Sequence, residues 1–190
     1  MLFLVKRSSI ASLVLLGAFA SIALLIRSQF SVGPSLGASW ENVGKGVIVV
    51  SLVIVSDGVI YGLLWLFCGK WYLTRHQDLM ATVRDQSILA ILCGSLLAGI
   101  GEELVFRGLS QRLEVLLPLA VIFGLLHHVR RKLTIITLWS VWQGILFALA
   151  LYWTQSLLVT MVAHFLHDFC GYIAFRFFNR GIITMPFTTR

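Results

Sequence analysis

Two adjacent carboxylates and a guanidinium group lie within an apolar part of the chain. The uncharged run 87–101 is followed directly by Glu102 and Glu103, and Arg107 comes four residues after the second acid. An ionisable residue at membrane depth costs from about 3 kcal/mol upward, so it is a functional-site hypothesis by default. On a helix, Glu103 and Arg107 share a face and are predicted to pair. Glu102 lies about 100° away around the helix and is predicted to be free to act as a general base.

Two histidines at membrane depth are candidates to work with this carboxylate. His127 ends an apolar run four residues after Phe123, whose ring would wall the imidazole. His164 and Asp168 are also four residues apart, within the last apolar run. Because side chains at i and i+4 are neighbours on a helix, each motif is predicted to present its two side chains on one face.

Two hydrolytic chemistries would use Glu102, His127 and His164 if these side chains converge. In the first, the two histidines and the carboxylate hold a Zn²⁺ ion, which lowers the pKa of its bound water toward about 7. In the second, which needs no cofactor, Glu102 and His127 polarise the water directly. His164 and Asp168 then orient it or stabilise the developing oxyanion. Both lead to attack of water on a carbonyl carbon, and the spacing leaves the choice between them open.

Three further polar residues lie in or beside the apolar runs. Asp57 is isolated in the second run, and no partner for it is visible in the sequence. His167 is offset by about 60° from the helical face of His164, which favours a structural histidine over a metal ligand. His128 is predicted to face the membrane interface beside the basic residues 130–132.

The composition is that of a membrane protein. Of the 190 residues, 58% are hydrophobic and 12% are charged, and the mean hydropathy is +0.92, whereas soluble domains carry about 25% charged residues. The net charge of +7 indicates a lipid bilayer and no nucleic acid as partner, because most Lys and Arg residues fall in connections that would share one side of the membrane. Three scattered cysteines without a Cys-x-x-Cys pair give no disulfide framework.

Six apolar runs predict an all-α fold, a polytopic membrane bundle of about six transmembrane helices in one domain, residues 1–190. The runs cover about residues 10–26, 47–69, 87–108, 115–128, 133–153 and 156–176. The distribution of Lys and Arg predicts that the N- and C-termini are cytoplasmic. We expect residues 1–86 to form peripheral helices and residues 87–176 to form the core that carries the polar motifs. The Ser- and Gly-rich connection 27–46 is predicted to be flexible or to lie along the surface.

The polar motifs together resemble those of a known family, the CAAX-protease and bacteriocin-processing intramembrane proteases, which include the type II CAAX prenyl endopeptidases. The three motifs of the family are similar to Glu102-Glu103-x-x-x-Arg107, Phe123-x-x-x-His127 and His164-x-x-x-Asp168 in this chain. Their order matches, and one extra helix separates the second motif from the third. The resemblance covers about residues 87–176.

This resemblance implies a multi-pass integral membrane endopeptidase, located in the cell membrane if the chain is bacterial. Its substrate would be a membrane-associated protein or peptide, prenylated or not. Glu102 would act as the base with the assistance of His127, and His164 would lie at the oxyanion. Glu103 and Arg107 would support the site. The motifs leave open whether the reaction is glutamate-based or metal-dependent.

One residue departs from the pattern of the family. Asp168 stands where Asn is frequent, at the position that the resemblance places beside His164 at the oxyanion. A carboxylate accepts hydrogen bonds and donates one only when it is protonated. Asp168 would therefore be either protonated or a ligand.

Two other functions would use the same polar residues. In a transporter or channel, the buried acids and histidines would form a proton or cation path, and Glu102→Gln would alter the activity without abolishing it. No inverted repeat or pair of broken helices in the sequence supports a transporter. In a non-catalytic interaction or immunity protein, Glu102→Ala would leave the phenotype intact.

Overall fold

The computed structural model describes residues 8–30, 33–84, 86–127 and 135–178. These residues form six α-helices: α1 (Ser8–Phe30), α2 (Trp40–Arg84), α3 (Ile88–Arg107), α4 (Leu113–Leu126), α5 (Ile135–Thr154) and α6 (Leu157–Phe178). No strand is present in the described part of the chain, where Ser35 and Ser156 form an isolated β-bridge. The prediction of an all-α fold with about six helices is confirmed.

Three of the described helical segments are long and apolar enough to cross a membrane. They are Trp40–Phe67, Ile88–Arg107 and Leu157–Phe177. A helix of 20 residues spans about 30 Å, the thickness of the hydrocarbon core. Many large apolar side chains on these helices point outward, Leu66 and Leu89 among them, as expected where lipid is the solvent. The chain is therefore an integral membrane protein. The termini lie outside the described residues, and their cytoplasmic location stays a prediction.

Helix α2 is longer at both ends than the predicted run 47–69. It begins at Trp40, after Ser39, whose Oγ accepts a hydrogen bond from the Asn42 backbone N–H at 3.1 Å, as in an ordinary N-cap. It then continues for 45 residues to Arg84. At 1.5 Å per residue this is about 67 Å, more than twice the thickness of the hydrocarbon core. The predicted limits were wrong because an apolar run records burial in lipid, whereas a helix also continues through polar residues.

The first connection, predicted to be flexible or to lie along the surface, is tied by hydrogen bonds to the helices beside it. The Arg27 guanidinium donates to the Gly108 carbonyl at the end of α3 at 2.5 Å and to the Pro34 carbonyl at 2.6 Å. The Ser35 carbonyl accepts a hydrogen bond from the Leu157 N–H at 2.9 Å. This N–H belongs to the first turn of α6, where backbone donors have no intrahelical partner. The connection therefore links the end of α3 to the beginning of α6.

Helix α6 packs closely between α2 and α3, and glycines permit the approach. A Cβ added at Gly46 of α2 would lie 2.8 Å from the side chain of Val162. A Cβ added at Gly99 of α3 would lie 2.8 Å from the backbone nitrogen of Phe165. Small residues at helix contacts let the backbones of membrane helices come together. These contacts fix α6, which carries His164, against α3, which carries Glu102.

Candidate active site

Three helices bring Glu102, His127 and His164 together below the protein surface. Glu102 lies on α3, His127 caps the C-terminal end of α4, and His164 lies on α6. The distance from Glu102 Oε2 to Nε2 is 3.9 Å for His127 and 3.8 Å for His164. All three side chains are buried. The structure thus groups the carboxylate and the two imidazoles that the sequence motifs suggested as partners.

The end of helix α4 sets the orientation of the His127 ring. The backbone N–H of His127 donates to the Gly124 carbonyl at 3.1 Å, which leaves the Phe123 carbonyl for the side chain. Nδ1 lies 2.6 Å from that oxygen, and because a carbonyl only accepts, Nδ1 carries the proton. Nε2 is then directed toward Glu102. The Phe123 ring lies 4.4 Å from the imidazole between centroids, so the predicted aromatic wall is confirmed.

The Oε1 atom of Glu103 has two partners. Arg107 Nη1 lies 2.5 Å from this oxygen, which confirms the predicted pair. His164 Nδ1 lies 2.7 Å from the same oxygen, a contact that the sequence motifs did not suggest. Both members of the ion pair are almost completely inaccessible, at 0% for Glu103 and 2% for Arg107. Such a pair avoids the large cost of a buried single charge.

The Arg107 guanidinium is enclosed by groups from two other helices, α4 and α5. Its Cζ atom lies 5.3 Å from the centroid of the Phe123 ring and 5.5 Å from that of Phe147, distances at which a cation is attracted to an aromatic face. Its Nη2 donates to the Gly144 carbonyl at 3.2 Å, and its partner Glu103 contacts His164 on α6. Arg107 is thus a packing centre as well as a countercharge.

Glu102 and Glu103 each have one buried oxygen without a hydrogen-bond partner among the described residues, and the one on Glu102 lies within 4 Å of two imidazole nitrogens. A buried polar atom without a partner costs about 1–3 kcal/mol, and more when it is charged. An unpaired buried oxygen therefore lowers the stability of the fold and is not explained by packing. The position of Glu102 Oε2 between two imidazole nitrogens makes it the natural place for a bound water or substrate group.

Two neighbours fix the ring of His164. Nδ1 donates to Glu103 Oε1, so Nε2 is left facing Glu102 Oε2 and also Asp168 Oδ2, which lies 3.9 Å away. The Phe147 ring stacks on the imidazole, with centroids 5.2 Å apart and an interplanar angle of 20°. Nε2 of His164 is therefore the ring nitrogen that faces the interior of the site, as an N–H or as a lone pair.

A second group of polar side chains joins α6 to α2 and α5. Asp57 of α2 contacts His167 Nε2 at 2.7 Å, and it accepts hydrogen bonds from the Trp139 indole at 2.8 Å and from the Gln143 amide at 3.1 Å. We name these four residues the Asp57 cluster. Sequence reasoning had found no partner for Asp57. The available signal was the pair Trp139 and Gln143, four residues apart on an otherwise apolar helix. His128 lies outside the described residues.

The predicted zinc ligands are close together but do not form a recognisable metal site. Within the described residues, no group of three His, Cys, Asp or Glu side chains could hold a metal ion. Ligand atoms of a tetrahedral Zn²⁺ ion lie about 3.4 Å apart for bonds of about 2.1 Å, whereas Glu102 Oε2 is 3.8 and 3.9 Å from the two Nε2 atoms. Zn²⁺ stays a prediction from the sequence, and the chemistry proposed for the site uses its own side chains.

Comparison with known proteins found a family model similar to one segment of the chain. The family model described as type II CAAX prenyl endopeptidase Rce1-like matches residues 84–170. The matched segment contains all three polar motifs, whereas Asp57 lies outside it. No curated protein and no solved structure matches the chain significantly.

Proposed function

We propose that the protein is a CAAX-type intramembrane endopeptidase that uses Glu102 to activate water. The match of residues 84–170 to the family model described as type II CAAX prenyl endopeptidase Rce1-like supports this proposal. The substrate is a membrane-associated protein or peptide. One observation carries the mechanism: the unpaired Oε2 of Glu102 lies within 4 Å of an imidazole nitrogen of both His127 and His164.

The spacing of these atoms suits one shared water molecule. The separations of 3.8 and 3.9 Å are too long for direct hydrogen bonds. They are short enough for a water that makes bonds of about 2.8 Å to Glu102 and to an imidazole nitrogen at once. His127 supports this role because its proton is on Nδ1, so Nε2 is an acceptor for one hydrogen of the water.

The reaction is a hydrolysis in which protons are conserved. Glu102 takes one proton from the water, and the water oxygen attacks the carbonyl carbon of the scissile peptide. The protonated Nε2 of His164 donates to the oxyanion of the tetrahedral intermediate. Glu102 then gives its proton to the leaving nitrogen, the C–N bond breaks, and the remaining water proton passes from the new carboxylic acid to the amine, so that a carboxylate and an ammonium group are released.

Asp168 has a role in this mechanism that does not require it to donate a hydrogen bond. As a carboxylate it only accepts, and its Oδ2 lies 3.9 Å from His164 Nε2. It therefore stabilises the charged form of His164 and turns the ring toward the site. Glu103 does the same at the opposite nitrogen, where Nδ1 is 2.7 Å away.

The proposal is tested by cleavage of membrane-tethered peptides by the purified protein in lipid nanodiscs. A panel of matched peptides, with and without a prenylated cysteine, identifies the substrate class. Products formed in H₂¹⁸O are analysed by mass spectrometry for one ¹⁸O atom in the new carboxylate. Glu102→Gln should abolish cleavage, whereas Glu114→Gln, the same change at an exposed acid, should not. Equal cleavage by the wild type and Glu102→Gln would contradict the proposal, as would failure of the wild type to cleave any peptide of the panel.

A further inference from the structure

His167 lies between two carboxylates that come from different helices. Its Nε2 is 2.7 Å from Oδ2 of Asp57 on α2, and its Nδ1 is 3.3 Å from Oδ1 of Asp168 on α6. Ionised carboxylates only accept hydrogen bonds, so both ring nitrogens donate, as they do in an imidazolium ion. All three side chains are largely buried. His167 is thus a cationic bridge between α2 and the motif that contains His164.

The far end of this bridge is held firmly. Asp57 Oδ1 accepts a hydrogen bond from the Trp139 indole at 2.8 Å, and Oδ2 accepts one from the Gln143 amide at 3.1 Å. The same amide nitrogen lies 2.9 Å from His167 Nε2. Both donors belong to α5, so Asp57 joins α2, α5 and α6. A carboxylate with both oxygens bonded has little freedom to move.

The near end of the bridge reaches the candidate active site. The two oxygens of Asp168 face different histidines: Oδ1 faces His167 and Oδ2 faces His164 Nε2, 3.9 Å away. The Phe147 ring also contacts both imidazoles, stacking on His164 at 5.2 Å and meeting His167 edge-on at 6.5 Å. A shift of His167 would therefore turn the carboxylate that orients His164.

We propose that His167, held by Asp57, is a positioning residue that fixes Asp168 against His164 and balances its charge. The proposal rests on the proposed function of the site. It extends that site to helix α2, beyond the segment 84–170 that matches the family model. The physical reason is that Asp168 places another negative charge near Glu102 and Glu103. An adjacent cation makes that charge tolerable in an apolar interior.

The decisive experiment combines substitutions with a neutral residue at position 168. Asp57→Asn or His167→Gln should lower kcat about 10- to 100-fold, the range expected from a misplaced catalytic group, while KM stays within about twofold because no substrate contact is lost. Asp168→Asn has nearly the same shape and no charge to balance. In that background the same two substitutions should change kcat by less than about threefold. Losses as large as in the wild-type background would overturn the proposal.

A matched control separates positioning from simple helix docking. Ser56 precedes Asp57 and accepts a hydrogen bond from the Trp142 indole at 2.8 Å, so it joins the same two helices, α2 and α5. Ser56→Ala should leave kcat within about twofold of the wild type. A loss equal to that of Asp57→Asn would show that both residues only dock the helices, and the positioning role would be wrong.

A measurement without substrate distinguishes failure of this proposal from failure of the proposed function. In protein labelled with ¹⁵N-histidine, the His167 signals are identified by their loss in His167→Gln. Both nitrogens should be protonated in the wild type near neutral pH, and this pattern should change in Asp57→Asn. A neutral His167 in the wild type overturns the bridge even if cleavage is observed. Absence of cleavage together with a protonated His167 overturns the protease function and leaves the bridge standing as a structural link.

Discussion

Two buried polar clusters meet at helix α6, and they differ in how the carboxylate oxygens of their acids are paired. We name the first the Glu102 cluster; it consists of Glu102, Glu103, Arg107, His127 and His164. In it, Glu102 Oε2 and Glu103 Oε2 are both buried without a hydrogen-bond partner among the described residues. In the Asp57 cluster, both carboxylate oxygens of Asp57 accept hydrogen bonds. Glu102 and Asp57 are buried to a similar degree. Burial therefore does not distinguish the two clusters, whereas the pairing of their carboxylate oxygens does.

The largest expected effect is the loss of activity in Glu102→Gln. Because the amide cannot take a proton from water, we expect kcat to fall about 10²- to 10⁴-fold. The melting temperature should stay the same or rise, since the substitution removes a buried charge with an unpaired oxygen. Peptide cleavage and thermal unfolding of the same preparation provide the two measurements. A large fall in melting temperature with normal cleavage would reverse the assignment of roles.

The next effect concerns the paired acid of the same cluster. Arg107→Met removes the cation and leaves Glu103 as a buried charge, so we expect a loss of about 3–5 kcal/mol of stability. Reversible unfolding in mixed micelles measures this loss. The double substitution Arg107→Met with Glu103→Gln should recover part of it, because no charge remains unpaired. If the single substitution costs less than about 1 kcal/mol, Glu103 is not held as the structure indicates.

A smaller effect tests the distance between helices α3 and α6, which carry Glu102 and His164. In Gly99→Ala the added methyl group would lie 2.8 Å from the Phe165 backbone nitrogen, so α6 must move away from α3. We expect a cost of about 1–3 kcal/mol and lower activity, because His164 precedes Phe165. Gly94→Ala is the matched control on the same helix, where the Cβ would meet nothing within 4 Å. Equal stability and activity in both variants would show that the close contact is not required.

The smallest effect is expected within the Asp57 cluster. Gln143→Leu removes one donor from Asp57, which keeps the hydrogen bond from Trp139 and the contact with His167. A single hydrogen bond contributes about 0.5–1.5 kcal/mol, and stability should fall by that amount. The same unfolding assay measures it. A loss as large as that of Arg107→Met would mean that Asp57 depends on this one donor.

Features that depend on local helix geometry could be predicted from the sequence. The Glu103–Arg107 pair was predicted because a separation of four residues fixes the relative position of two side chains on any helix. The limits of α3 were also close, at 87–108 predicted against Ile88–Arg107 observed. In both cases the pattern lies within one helix, so no knowledge of the neighbouring helices was needed.

Features that depend on contacts between helices could not be predicted in the same way. His164 contacts Glu103 across 61 residues, and His167 contacts Asp57 across 110 residues. Such contacts depend on which helices are neighbours and on how each is rotated, and periodicity contains neither fact. The grouping of Glu102 with both histidines was reached through the order of the motifs and their resemblance to a family. Asp57 had no such motif and remained without a partner.

The contact between Asp57 and His167 bears on the smallest fragment of this protein that could fold. A polypeptide limited to residues 84–170 would contain every recognised motif. It would lack nearly all of helix α2, and it would lack Ser35, whose carbonyl accepts a hydrogen bond from the Leu157 N–H at the start of α6. His167 would then lack Asp57, one of its two acceptors, and α6 would lose the close contact of Val162 with Gly46 of α2. The segment that matches the family model is therefore shorter than the part of the chain in which His167 has both of its acceptors.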